Sequence, residues 1–579
     1  MKTLLLSSLN KVFKDTEPNF SEFSSFSSLK NENFSFQIAL LAENKSETTV
    51  QVSLDSPLEE DIKIYFVRNI PAGTNGFDNS DSFHYDLNRK EFPDLLEPIS
   101  DSVKLKKGEW NALWVEYKPT AQVSGEYDIK VKITAGESVC EKVFKLNIID
   151  KELPEQELLY TNWFHNDCLC TYYDVDVFSD EYWEIVEKYI KNARERGMNM
   201  ILTPVFTPPL DTEVGGERPT VQLVKVEKKK GEYTFDFANF EKYVDLCLKN
   251  GIEAFEISHF FTQWGATAAP KVVATVNGKE KRIFGWDTKA TGKAYSEFLE
   301  SFAKAFKKEV KKLGIKDRCW LHVSDEPNEE QIKNYKKSAE LLHSLFPTFK
   351  SFDALSHIDF YRQGIIKTPV CTEETADIFR AEVKNFWVYH CCCQVAEFVP
   401  NRLFSQPSQR SRVLGVLLYK YDAKGFLQWG HNFWYAQYSK HPIDPYKVTD
   451  AGGSFPSGDS FVVYPGKNGE PLNSLRNLVF ADALQDLRAL RLLEKLTSRK
   501  YVLNLIEKGL DIPLSFKNYP HEQGWLLNLR KEVKLLKALQ GISYKEVAEF
   551  LEIRQDSFYN WLKGYYELGD EKQRRLLDV

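Results

Sequence analysis

The chain has 579 residues, of which 42% are apolar, 14% aromatic and 27% charged, and it carries a formal net charge of −7. That length buries a sizeable core and predicts two or three domains, while the acidic balance weighs against a polyanion as the default partner. No apolar run approaches the roughly 20 residues of a membrane span, so no membrane partner is expected.

Residues 1–9 hold one Lys and a three-Leu run without a small-residue cleavage site, and charged Lys11, Lys14 and Asp15 follow. This is not the pattern of a secretory signal. The nine Cys are odd in number and lack framework spacing, so a reduced, cytoplasmic setting is expected. From about residue 34 to 149 apolar and polar residues alternate in short runs, as in Tyr127-Asp128-Ile129-Lys130-Val131-Lys132-Ile133. Period-two patterning with turn residues between the runs predicts an antiparallel β-sandwich over residues 1–150, closed by the charged, proline-bearing stretch 151–157.

The rhythm then changes to strand, helix, strand. Strands are predicted at 159–165, 199–204, 252–258, 319–324, 350–354, 385–390, 425–429 and 461–464, with amphipathic helices between most of them, as at 180–196, 240–250 and 295–313. Eight such units fit a (β/α)8 TIM-type barrel over residues 151–490, a fold whose chemistry sits at the C-terminal ends of the strands. Residues 491–579 read as a charged helical C-terminal region.

Polar and aromatic residues cluster at the predicted strand ends. His165 follows the first strand, Asp211 the second, and His259, Gln263 and Trp264 the third. Tyr389 and His390 end the sixth, Trp429, Asn432 and Trp434 follow the seventh, and Asp459 ends a glycine-rich run before the eighth. Converging on one rim, these residues predict a carbohydrate-sized pocket, with Trp264, Trp429 or Trp434 as a platform for a sugar ring.

The fourth strand runs into Asp325-Glu326-Pro327. Two adjacent carboxylates at the end of a buried strand cost energy unless something uses them. Glycoside cleavage uses two carboxyl groups, and neighbouring ones suit an assisted route in which the substrate's own 2-acetamido oxygen attacks. Glu326 is then the general acid/base, and Asp325 orients the acetamido N–H. The same residues also read as the acidic, proline-bearing first turn of a helix, and both readings can hold at once.

Cys391-Cys392-Cys393 resembles a metal motif, but neighbours on a strand alternate in direction, so no metal site is expected there. No Gly-x-Ser-x-Gly, His-Glu-x-x-His, phosphate loop or Gly-x-Gly-x-x-Gly occurs, and no cofactor is expected. Residues 541–566 resemble the helix-turn-helix of phage-repressor-type regulators, with residues 554–560 set to face a groove. Three basic residues against four acidic ones there are poor for phosphate binding, so nucleic acid is disfavoured and a packing appendage favoured.

Taken together, Asn162-Trp163-Phe164-His165, Pro208-Pro209-Leu210-Asp211-Thr212, Glu217-Arg218-Pro219-Thr220, Glu256-Ile257-Ser258-His259, Thr262-Gln263-Trp264-Gly265 and His322-Val323-Ser324-Asp325-Glu326-Pro327 resemble glycoside hydrolase family 123, the β-N-acetylgalactosaminidases, over about residues 1–535. The resemblance implies a sandwich followed by a barrel, and retaining hydrolysis of terminal β-linked N-acetylgalactosamine from glycolipid or oligosaccharide glycans. It puts the family's acid pair on Asp325 and Glu326 and adds Arg218 to the binding residues. The repressor-like tail is not part of the family pattern. Two other readings stand beside this one: a β-N-acetylglucosaminidase, and a sugar-sensing regulator whose barrel binds without cleaving and whose tail binds DNA. A homo-oligomer is an open alternative to a monomer.

Overall fold

The structure is a computed structural model and describes the chain except residues 20–21, 44–45, 530–543, 563–568, 570–571 and 573–579. Two five-stranded sheets form the N-terminal sandwich. One orders Lys2–Ser7, Phe34–Leu41, Trp110–Tyr117, Ile62–Pro71 and Glu91–Pro98, all antiparallel neighbours. The other orders Ser25–Leu29, Ser138–Ile149, Gly125–Ala135, Glu47–Asp55 and Ser102–Lys106; only Ser25–Leu29 runs parallel to its neighbour.

Alternation along Gly125–Ala135 buries Ile129, Val131 and Ile133 completely, and they meet Phe36, Ile38, Leu113 and Phe144 between the sheets. Trp110–Tyr117 instead is buried at every position. Its outer residues Trp110, Ala112 and Trp114 join the core of the following domain. Buried ion pairs lock this junction: Glu116 with Arg196, and Asp94 with Arg476 at 2.7 Å.

Eight parallel strands follow. In sheet order they are Leu159–Asn162, Gly425–Gln428, Trp387–Tyr389, Thr368–Thr372, Lys350–Leu355, Cys319–Leu321, Ala254–Ile257 and Met200–Thr203. The seam between first and last is bridged by Asn199, whose N–H donates to the Tyr160 carbonyl (3.2 Å) while its side-chain oxygen accepts from Tyr160 N–H (2.8 Å). Inside, Met200, Leu202, Ala254, Phe352, Val370 and Trp387 fill the barrel as a packed core.

One predicted strand is corrected. The sixth barrel strand is Thr368–Thr372, which the interior Pro369 disguised, because proline is normally excluded from central strands. The apolar run at 461–464 lies outside the barrel; Val463–Pro465 pairs antiparallel with Pro471–Asn473. Trp429 therefore follows the eighth strand, Tyr389 ends the seventh, and Asp459 lies beyond the eighth. Asp325 still follows the fourth. A further four-stranded sheet, absent from the sequence reading, forms from Lys225–Lys229, Glu232–Asp236, Val272–Val276 and Lys279–Phe284 in the excursions after the second and third barrel strands.

The helix Leu475–Leu496 runs unbroken through residue 490 and crosses the helix Leu414–Tyr421 closely enough that a Cβ on Gly415 would sit 1.9 Å from the Ala483 carbonyl oxygen. Backbone cannot yield as a side chain can. Gly415→Ala is therefore expected to cost at least the roughly 1–3 kcal/mol of an overpacked core, read as a lower unfolding midpoint in denaturant.

Of the repressor-like tail, the helices Tyr544–Phe550 and Gln555–Leu562 are described; 541–543 and 563–566 lie outside the described residues. Trp561 packs edge-on against Tyr501 at 5.3 Å, which anchors the second of these helices on Arg499–Ile506. No described helix is long and apolar enough to cross a membrane.

Candidate active site

At the C-terminal end of the barrel a cavity of about 240 Å³ opens above the packed core. It is smaller than the roughly 300–1,000 Å³ of drug-sized sites, which suits one sugar residue rather than a chain. Asp325 and Glu326 line it together, with Asp211, Gln263, Trp264, Tyr389 and Trp429 from other strand ends.

The backbone explains how two consecutive side chains reach one cavity. Glu326 is left-handed at φ 40°, which breaks the alternation of the preceding strand. Asp211 (39°), Trp264 (59°) and Tyr438 (62°), also on the cavity wall, share that conformation. Non-glycine residues held there cost on the order of 1–3 kcal/mol each and concentrate at functional sites.

The two carboxyls have different surroundings. Asp325 is buried and accepts from the Gln263 amide at 2.9 Å; burial, reinforced by the charge of Glu326, pushes its pKa up to about 8. Glu326 is open to the cavity and accepts from the Tyr389 hydroxyl at 2.6 Å. Protein crowded around its carboxyl still raises its pKa. Like-charged neighbours of this kind titrate as a pair, so at neutral pH they hold a proton that isolated carboxyls would have lost.

Beneath the pair lies a fully buried charge network. His322 bonds to Glu256 through Nε2 (2.5 Å) and to Asp353 through Nδ1 (2.6 Å). Burial opposes a charged imidazole here, but the two carboxylates prevail and raise its pKa to about 9. Asp353 also accepts from the N–H groups of Val323 (3.1 Å) and Ser324 (3.3 Å) and from the Tyr335 hydroxyl. Glu256 accepts from Thr161 and, at 2.6 Å, from the indole of Trp163, which lines the cavity. The network thus fixes both the backbone leading into Asp325 and one wall of the cavity.

Several residues expected at the rim stand behind the wall instead. His165 donates from Nε2 to the Trp429 carbonyl (2.9 Å) and accepts from Arg218 at Nδ1 (3.1 Å). Arg218 is paired with Asp167 at 2.7 Å and donates to the Leu210 carbonyl, bracing the loop that carries Asp211. Asn432 caps the His165 backbone, Asp459 holds the Trp429 indole at 2.9 Å, and His390 is bonded to Glu373. Trp434 is core, its indole on the Val463 carbonyl. His259 stacks on His322 at 4.1 Å, and its ring nitrogens have no hydrogen-bond partner among the described residues. Polar residues at a strand end face either the cavity or the layer that supports it, and residue type alone does not separate the two.

Cavity-lining residues outside the expected set are Trp163, Leu210, Cys391, Cys392, Gln437, Tyr438 and Phe455, with Ala354 and Leu427 from the barrel interior. Trp163, two positions before His165, was within reach of the strand-end argument. Tyr438 and Phe455 come from the long excursion after the eighth strand, where no periodicity marks them. Tyr438 meets Trp264 edge-on at 5.8 Å, and Trp264 as a whole residue stays 36% exposed beside the cavity.

The objection to convergence at Cys391, Cys392 and Cys393 is also corrected. The strand ends at Tyr389 and the cysteines occupy a turn, so their Sγ atoms come within 4.8 Å of one another. His259, His322 and Asp353 are similarly close, but both nitrogens of His322 are already bonded to carboxylates.

Residues 163–493 match the glycoside hydrolase 123 catalytic domain. A family 123 glycoside hydrolase from Clostridium perfringens, a protein studied for glycolipid glycan hydrolysis, superposes with a TM-score of 0.69 over 87% of this chain and 90% of its own, at 16% identity. Bacteroides uniformis β-glucuronidase 3 (TM-score 0.29, 11% identity, 79% of this chain and 50% of that one) is too distant to inform the site. No curated protein sequence matches the chain. With the catalytic-domain match spanning more than half its length, the chain belongs to glycoside hydrolase family 123.

Proposed function

We propose that the protein is a retaining, exo-acting β-N-acetylgalactosaminidase that releases terminal β-linked N-acetylgalactosamine from glycolipid or oligosaccharide glycans, with assistance from the substrate's acetamido group. The observation that carries this reading is the Asp325-Glu326 pair sharing one monosaccharide-sized cavity, each with its own hydrogen-bond donor. The activity of the C. perfringens relative on glycolipid glycans supports the substrate class.

In this mechanism the acetamido carbonyl oxygen bonds to the anomeric carbon as the glycosidic C–O bond breaks, and Glu326 gives its proton to the leaving oxygen. Asp325 accepts the acetamido N–H and offsets the positive charge of the oxazolinium that forms. Water then attacks the anomeric carbon, returning a proton to Glu326 and restoring the acetamide. Two inversions leave the configuration retained. Trp163, Trp264 and Trp429 supply apolar faces for the ring.

Hydrolysis of the nitrophenyl β-glycosides of N-acetylgalactosamine and of its gluco epimer, with the first-formed anomer followed by NMR, tests the reading. Faster release from the galacto substrate as the β-anomer is expected. Preference for the gluco epimer would replace the sugar assignment, and release of the α-anomer would exclude the assisted route.

The raised carboxyl pKa values set a pH dependence. Activity needs Glu326 to keep its proton, and its raised pKa should hold kcat/KM to higher pH than an isolated carboxyl allows before it falls on the alkaline side. Removing the like charge with Asp325→Asn should move that alkaline limb of the residual activity to lower pH. An unshifted limb would mean that the two carboxyls do not titrate together.

A further inference from the structure

The turn that follows the seventh barrel strand carries three consecutive thiols. Cys391 and Cys392 are partly buried and line the cavity that holds Asp325 and Glu326; Cys393 is exposed. The Cys392 and Cys393 sulfurs are 3.6 Å apart, and all three lie within 4.8 Å of one another. Zinc–thiolate bonds of about 2.3 Å separate the sulfurs of one coordination sphere by roughly 4 Å, so the trio closes on a single ion with little movement.

The turn is held from several sides. Cys391 N–H donates to the Gln394 side chain (2.8 Å), and the Asn401 amide donates to the carbonyls of both Cys391 (2.8 Å) and Gln394 (2.9 Å). Gln394 in turn donates to Glu374. Cys391 also packs against the barrel interior, whereas Cys392 lines the cavity without joining that core.

We propose that Cys391, Cys392 and Cys393 form a site for a thiophilic cation such as Zn²⁺ at the mouth of the cavity, and that the bound ion closes the cavity to substrate. Soft thiolate ligands select Zn²⁺ or Cu⁺ over Mg²⁺ and Ca²⁺. Three thiolates leave the fourth position of a zinc ion to water or to a cavity carboxylate. Binding expels thiol protons, so affinity rises with pH. The binding step is independent of the proposed activity, whereas the closure rests on it.

The test titrates reduced, metal-free full-length protein with Zn²⁺ against a chromophoric chelator. Wild type is compared with Cys392→Ser/Cys393→Ser and with Cys140→Ser, a control on the sandwich strand Ser138–Ile149. One ion per chain is expected for wild type and the control, with affinity falling about 100-fold or more in the double variant, at or beyond the upper end of losses seen when metal sites lose outer-shell support. Zn²⁺ should raise KM in wild type and leave it unchanged in the double variant, while Mg²⁺ does neither. Absence of binding to wild type, or equal binding by the double variant, would overturn the site. Binding without a change in KM would overturn the closure. Should no glycoside be hydrolysed, the titration still decides the site, and competition between Zn²⁺ and free N-acetylgalactosamine decides the closure.

Discussion

Glu326→Gln is expected to lower kcat on a glycan with a sugar leaving group by about 10²–10⁴-fold, the usual contribution of a positioned general acid. On a nitrophenyl glycoside the loss should be far smaller, because that leaving group departs without protonation. Asp325→Asn should impair both substrates alike. Its carboxylate meets the acetamido group and the charge developing there, and neither depends on the leaving group. The amide keeps the size of the side chain and can still meet Gln263, so the loss is electrostatic rather than structural. Steady-state kinetics of the two variants on the two substrates give the comparison. Equal losses for Glu326→Gln on both would show that Glu326 is not the acid, and a leaving-group dependence in Asp325→Asn would exchange the two roles.

The largest effect on stability is expected from His322. Replacing it with Gln leaves the Glu256 and Asp353 carboxylates, both fully buried, without the cation between them. Removing one partner of a buried charge pair costs about 3–5 kcal/mol, because the remaining charge stays buried and uncompensated. The variant should show a lower denaturation midpoint, together with reduced activity as Asp353 releases the backbone of Val323 and Ser324. Its pH dependence separates this from simple cavity formation. The pKa of His322 rises on folding from 6.5 to about 9, so its stabilisation is complete below about 6.5 and is lost as pH climbs through 9. Wild type should therefore lose stability across that window, and His322→Gln should lack this part of the slope. Parallel slopes would show that His322 is neutral in the folded protein and that the network holds no imidazolium.

Local pattern made much of this legible. Period-two alternation, as at Ile129, Val131 and Ile133, reports burial on one face of a sheet, and the sandwich followed from it. Repeated strand–helix spacing announced the barrel, and the abrupt end of an apolar strand at Asp325-Glu326 marked the carboxylate pair, because adjacent like charges are costly without a use. Failures arose where a residue's surroundings outweigh its type. Pro369 hid a true barrel strand, and an apolar run at 461–464 imitated one. His165, Arg218, Asn432 and Asp459 carry the chemistry of binding residues, yet their hydrogen bonds go to the loops and side chains that shape the cavity. The charge on His322 depends on Glu256 and Asp353, 66 and 31 positions away. The convergence of Cys391, Cys392 and Cys393 depends on a turn where alternation would have kept them apart. Periodicity is a property of neighbours along the chain, and so it can be read from residues in order. Whether a polar group faces a cavity, a carboxylate or a backbone carbonyl is set by long-range packing, which the folded barrel supplies and the linear order does not encode locally.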